Sequence, residues 1–220
     1  TQRLQDNLAW SPADLNNFDR AWAILAFAAL NETVPVTLVN ELKALQLPDG
    51  GWEYASGWGA DSNTTALAVQ ALVAAGEPLT STSIVSATAY LKSIQNDDGG
   101  FPYQKPSLWG TETDANSTAM VIQAIVAAGQ NPLAPPAAPD WSTTTTSLMT
   151  MTVRSPMGAL LHLQDPGGAF NWKAGTPGSQ LIATVQALPG VMGRPLPLRF
   201  APQVVSTSPW ANDPIRQPVF

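Results

Sequence analysis

The chain is 220 residues long, 45% apolar and free of cysteine, enough for one packed core plus a tail and closed to disulfides, thiolate metal sites and cysteine nucleophiles. Its 10 basic and 16 acidic residues give a net charge of -6, and no Lys/Arg-rich run is present to follow a phosphate backbone, which argues against nucleic acid as a partner. Only 12% of residues are charged, a balance suited to an extracellular or cell-surface protein, and no apolar run approaches the roughly 20 residues that span a bilayer.

The chain opens at Thr1 without a basic or apolar leader, so any export signal is expected to have been removed or to lie outside this sequence. Residues 21–30 read as the second helix of a first, degenerate unit. Residues 42–52, Leu-Lys-Ala-Leu-Gln-Leu-Pro-Asp-Gly-Gly-Trp, then open a repeat. The block recurs at 91–101, Leu-Lys-Ser-Ile-Gln-Asn-Asp-Asp-Gly-Gly-Phe, and at 160–170, Leu-Leu-His-Leu-Gln-Asp-Pro-Gly-Gly-Ala-Phe. Each copy reads Leu-x-x-x-Gln-x-x-x-Gly-x-aromatic, with Gln46 and Trp52, Gln95 and Phe101, and Gln164 and Phe170 as its fixed points. A second block comes after it each time: Asp61-Ser-Asn63-Thr-Thr-Ala, Asp114-Ala-Asn116-Ser-Thr-Ala, and a weaker version starting at Gln180, with residues 177–179 where the aspartate would fall.

The periodicity predicts a helical hairpin per copy. Residues 65–75 are apolar nearly all round, as in a buried inner helix, whereas 83–94 set Ile84, Ala87, Leu91 and Ile94 on one face of an amphipathic outer helix. Gly76 and Gly129, followed by Pro78 and Pro132, are expected C-caps. Asn63 and Asn116 are expected N-caps, with Asp61 and Asp114 just ahead favoured by the helix dipole. Counted from Gly51 to Gly100 and from Gly100 to Gly168, the third copy carries an insertion of about 19 residues. It falls at about 131–156, where prolines precede a Thr-rich stretch at 143–153 suggesting a short β-hairpin or an ordered loop. From Pro189 onward seven prolines forbid long helices, so a repeat domain over 1–195 and a Pro-rich tail or linker over 196–220 are expected.

The Gln-x-x-x-Gly-x-aromatic blocks resemble the QW-type repeat of squalene and oxidosqualene cyclases. The Asp-x-Asn-x-Thr-Ala blocks are similar to the inner helices of cobalamin carriers and of bacterial surface proteins built on the same fold. The resemblance covers roughly residues 20–190 and implies an all-α αα-toroid: a partial or open α/α barrel of four hairpin units. In that family the Gln amide reaches the N-terminus of a neighbouring helix while the aromatic ring packs on it. The fold hosts several functions, so function has to be argued from the site.

A terpenoid cyclase of the alkene-protonating class needs an Asp-x-Asp-Asp acid, which is absent, and Asp97-Asp98 lie in a solvated turn. The zinc of prenyltransferases needs Asp, Cys and His; the chain has no Cys and one histidine, His162. No cofactor and no metal site is expected. The remaining candidates converge on the N-termini of the inner helices: Trp58, Asp61, Asn63, Trp109, Asp114, Asn116 and Trp172 would ring a polar-aromatic mouth fit for a sugar, peptide or cofactor. The first expectation is a non-catalytic secreted or cell-surface module, ligand-binding or structural. The alternatives are a carrier of a cobalamin-like cofactor or terpenoid, and an enzyme, either carbohydrate-active through Asp61 and Asp114 or terpenoid-cyclase-like. A small-molecule ligand, or other protein chains covering an open end of the array, are the expected partners.

Overall fold

The computed structural model describes residues 15–108, 110–133, 141–147, 150–176 and 180–198. Trp109, part of the insertion, residues 177–179 and the tail beyond 198 lie outside the described residues. Seven α-helices and two two-stranded antiparallel sheets make up the regular structure described, an all-α fold.

The helices alternate between two layers. The inner layer consists of α1 (Asn17–Ala29), α3 (Ser62–Ala74), α5 (Ala115–Ala127) and α7 (Gln180–Val191), each packed on the next. The outer layer consists of α2 (Val36–Ala44), α4 (Thr82–Ser93) and α6 (Pro156–His162), packed on α1, α3 and α5 respectively, with α6 also touching α7. Composition explains the layering: in α3 every residue from Thr64 to Leu72 is buried, whereas α4 buries only one face, including Ile84, Ala87, Tyr90 and Leu91. The last inner helix differs. It buries the narrow stripe Ala183, Ala187 and Gly190 but exposes Leu181, Ile182, Val185 and Leu188, because no further inner helix lies beyond it among the described residues.

The helix ends are set by local chemistry. Gly76 and Gly129 adopt φ of +91° and +71°, closing α3 and α5 with bonds such as Glu77 N–H to the Leu72 carbonyl (2.9 Å). The N-caps of α3 and α5 are Asp61 and Asp114, two residues earlier than the Asn63 and Asn116 expected from sequence. Both residue types cap well, so composition alone cannot choose; the short β1 (Trp52–Glu53) and β2 (Ala60–Asp61) pair fixes the entry of α3 at Asp61.

The repeat loops explain the motif. The left-handed glycines are Gly50, Gly99 and Gly168 (φ +93°, +91° and +92°), so the third copy is one residue further on than the count from Gly100 to Gly168 gives. A Cβ on Gly50 would strike the Ser86 carbonyl of α4, and one on Gly99 would meet Ser155 at the start of α6, so each loop abuts the next outer helix. The motif glutamine stitches that contact. Gln46 donates its amide to the carbonyls of Gly50 (2.8 Å) and Ser83 (2.9 Å), and Gln95 to those of Gly99 (2.8 Å) and Trp141 (2.9 Å). It therefore links carbonyls across the joint and caps no helix N–H. Among the described residues Gln164 keeps only the bond to its own loop, at Gly168. Each motif aromatic is buried and hangs from the inner helix by its backbone: the N–H groups of Trp52, Phe101 and Phe170 donate to the hydroxyls of Thr65, Thr118 and Thr184. These threonines set the true register, in which Gln180, not residues 177–179, matches Asp61 and Asp114.

The insertion forms the hairpin β3 (Thr143–Ser147) and β4 (Thr150–Arg154). Just before it, Trp141 is 3% exposed; it meets Phe101 edge-on at 6.0 Å and bonds its indole N–H to Gln130 at 2.7 Å. Pro189 does not end α7, which runs on to Val191: a proline in the last turn forfeits one hydrogen bond, and Met192 N–H still reaches the Leu188 carbonyl. Residues 194–198, at the start of the Pro-rich stretch, lie against the inner layer, where Leu196 packs on the core and gives its N–H to Gln70 Oε1 (2.8 Å).

Candidate functional site

At the N-terminal ends of the inner helices, β2 delivers Asp61 to the start of α3, where Oδ1 accepts the Thr64 N–H at 2.7 Å. Its side chain is only 1% exposed, and Oδ2 lies buried beside the Tyr103 hydroxyl without a well-formed hydrogen bond. Burial pushes the Asp61 carboxyl up to about 6, against the opposing pull of the Thr64 and Asn63 N–H groups and of Tyr103. The same burial, with Asp61 nearby, raises the phenols of Tyr90 and Tyr103, the latter to about 12. Asp114 repeats the arrangement on α5, taking the Ser117 N–H (2.8 Å) and hydroxyl (2.9 Å). Burial raises it too, with the Lys173 charge working the other way.

The residues expected to ring the mouth fall into two groups. Trp58 is 66% exposed and ends an aromatic ladder that runs through Tyr54 (5.9 Å) and Phe18 (5.9 Å) to Trp22 (6.2 Å). Asp61 belongs to this side but is sealed as a cap, while half-buried Asn63 accepts from the Ser62 hydroxyl. Trp172, 41% exposed, lies over α5, where its carbonyl takes the Ala115 N–H (2.8 Å); Asn116 turns to Gln186 of α7. Trp109 is outside the described residues.

Sequence reasoning passed over one regularity. Each motif carries a second aromatic two residues after the first: Tyr54, Tyr103 and Trp172. Tyr103 and Trp172 are equivalent in structure, each giving its carbonyl to the first turn of the preceding inner helix, at Ser62 and Ala115. The aromatic-x-aromatic spacing was visible in all three copies.

Two cavities adjoin this framework. One, of about 840 Å³, is walled by α3, α5 and α7 and strapped by residues 194–198; Val73, Val126, Leu188 and Met192 line it, and Gln70 and Arg194 are its polar groups. The other, of about 1090 Å³, opens between α6 and the loops 110–113 and 172–176. There Lys173 pairs with Glu112 at 3.2 Å and holds its ammonium 4.7 Å from the Trp172 ring centre. The Glu112 carboxyl is lowered by its own backbone N–H and by Lys173. Among the described residues no group of His, Cys, Asp or Glu could hold a metal, and no helix is long and apolar enough to cross a membrane.

No curated protein matches the chain. A family model, that of the squalene-hopene cyclase C-terminal domain, matches residues 13–137, from α1 through the first two full motif copies and past the end of α5. That stretch is more than half of the chain and holds the first two of the three glutamine-aromatic loops, and on this ground the chain belongs to the squalene-hopene cyclase C-terminal domain family.

Proposed function

We propose that the chain is an arc of an αα-toroid acting as a non-catalytic, secreted or cell-surface ligand-binding module, and that its ligand is an amphiphile with an apolar body. The toroid reading rests on four inner helices packed in succession behind three outer ones. The observation that carries the ligand reading is the 840 Å³ cavity, whose lining is apolar apart from Gln70 and Arg194 and includes no outer-helix residue. A space of that size between packed helices is in the range of small-molecule sites. The absence of catalysis is supported by the mouth: Asp61 is followed by Ser62, Asn63 and Thr64 in place of an acidic tetrad, and both Asp61 and Asp114 are buried and committed to capping. A low charge content supports the location outside the cell.

Native mass spectrometry of the protein from its own source, with displacement of a fluorescent fatty-acid analogue, tests this reading. Retention of an apolar small molecule, or saturable dye uptake lost in Val126→Arg, is expected. A bare protein that takes up no dye would move the assignment to a purely structural module, and turnover of an isoprenoid would overturn it.

A further inference from the structure

The polar cavity beside α6 has an origin that the repeat itself reveals. With the motif glutamines superposed, α6 is α4 shifted by one copy: Ser86 matches Ser155, and both pack against the left-handed glycine of the preceding loop. Tyr90 then matches Ala159 and Ala89 matches Gly158. In the second copy the Tyr90 ring fills the space behind the loop and bonds its hydroxyl to the Ala60 carbonyl at 2.7 Å. In the third copy that ring is missing and the cavity of about 1090 Å³ stands open in its place, with Gly158 and Ala159 in its wall. The same shift puts Arg154 where Val85 stood and His162 where Ser93 stood, and both now line the cavity. Neither side chain has a partner among the described residues. Trp172 forms the opposing wall; Lys173 lies over its ring.

We propose that this cavity is a binding site for an acidic sugar, with the carboxylate on Arg154, the ring's C–H face on Trp172 and hydroxyls on Glu112, Thr176 and His162. An exposed indole offers the flat apolar surface that a sugar ring packs on. A guanidinium without a partner offers the planar fork that matches a carboxylate. The charges in the wall balance, Arg154 and Lys173 against Asp98 and Glu112, and Lys173 is already paired with Glu112; Arg154 is left to match one negative charge, which suits a singly charged sugar acid better than a doubly charged phosphate. This site is separate from the strapped apolar cavity and stands whatever binds there.

The test is calorimetric titration of the whole chain with a glucuronate-capped disaccharide, its neutral glucose-capped counterpart and AMP. The glucuronate form should bind saturably, and the neutral counterpart about tenfold or more weakly, as expected for loss of a charge-assisted contact. Arg154→Val and Ala159→Tyr restore the residues of the second copy; the first should weaken binding about tenfold and the second abolish it, each with the melting temperature little changed. His162→Ser, on the surface, should weaken binding by a smaller factor. No binding by the native chain, equal binding of the neutral sugar, tighter binding of AMP, or affinity unaltered in both Arg154→Val and His162→Ser would overturn the proposal. The surface variants decide the matter should Ala159→Tyr not fold.

Discussion

Asp61 is pulled two ways. Capping α3 favours its anion, while enclosure favours the neutral acid. Enclosure wins, lifting the carboxyl from 3.8 to about 6. The folded protein therefore holds a proton at pH values where the unfolded chain has released it. The resulting stabilisation is complete below the unfolded value and disappears as pH rises through the folded one. A shift of this size corresponds to at most about 3 kcal/mol over the whole titration, of which roughly 2 kcal/mol falls between pH 4 and 7. Asparagine caps helices as well as aspartate does but does not titrate. The stability of the native chain relative to Asp61→Asn should thus fall as pH rises from 4 to 7, with most of the change before pH 6, in urea unfolding of both proteins at four pH values. A difference independent of pH would mean that Asp61 ionises in the folded protein as it does in water.

At the scale of elements, the motif glutamines look alike in sequence and differ in consequence. Gln95 is 9% exposed and satisfies two carbonyls, one of them from the insertion, while exposed Gln164 satisfies one in its own loop. Removing a donor costs most where the abandoned acceptor cannot reach water. Gln95→Ala should lower stability by about 1–3 kcal/mol and Gln164→Ala by less than about 0.5 kcal/mol in denaturant unfolding. Equal costs would show that the second bond, across the joint, contributes nothing. This difference was not legible in the chain, because it depends on which segment packs against each loop in space. The legible features were those with a local cause: the two layers from apolar periodicity, the C-caps from Gly76 and Gly129, and the hairpin from the Thr-rich alternation. The Asp61 and Asp114 caps were displaced to Asn63 and Asn116 because neighbouring residues compete for one role. Trp141 was hidden in the insertion, since nothing near it in sequence says that it meets Phe101. The substitution that opens the cavity at α6, Ala159 in place of Tyr90, was readable once the copies are aligned on their glutamines, but the space it leaves was not.

Across the whole molecule the core is divided. One cluster joins α1 to α5 with Trp52, Phe101 and Trp141; a smaller one joins α5, α6 and α7 around Leu160, Phe170 and Ala187. Arrays of this kind gain stability from each unit and from its neighbours, so a helix held on one side opens before a helix held on both. Helix α3 is flanked by α1 and α5, whereas α7 has α5 on one side and an exposed apolar stripe on the other. Hydrogen exchange should find the amides of α3 exchanging only through global unfolding and those of α7 through a cheaper, partial opening. Leu160, fully buried in the smaller cluster, provides the perturbation. Truncating it to alanine should cost about 2–5 kcal/mol locally. Protection in α6 and α7 should drop with it while α3 keeps its own, so that the partial opening and the global transition separate further. Were α3 and α7 to lose protection in step, the two clusters would form a single cooperative unit, and α5 would carry the coupling between them.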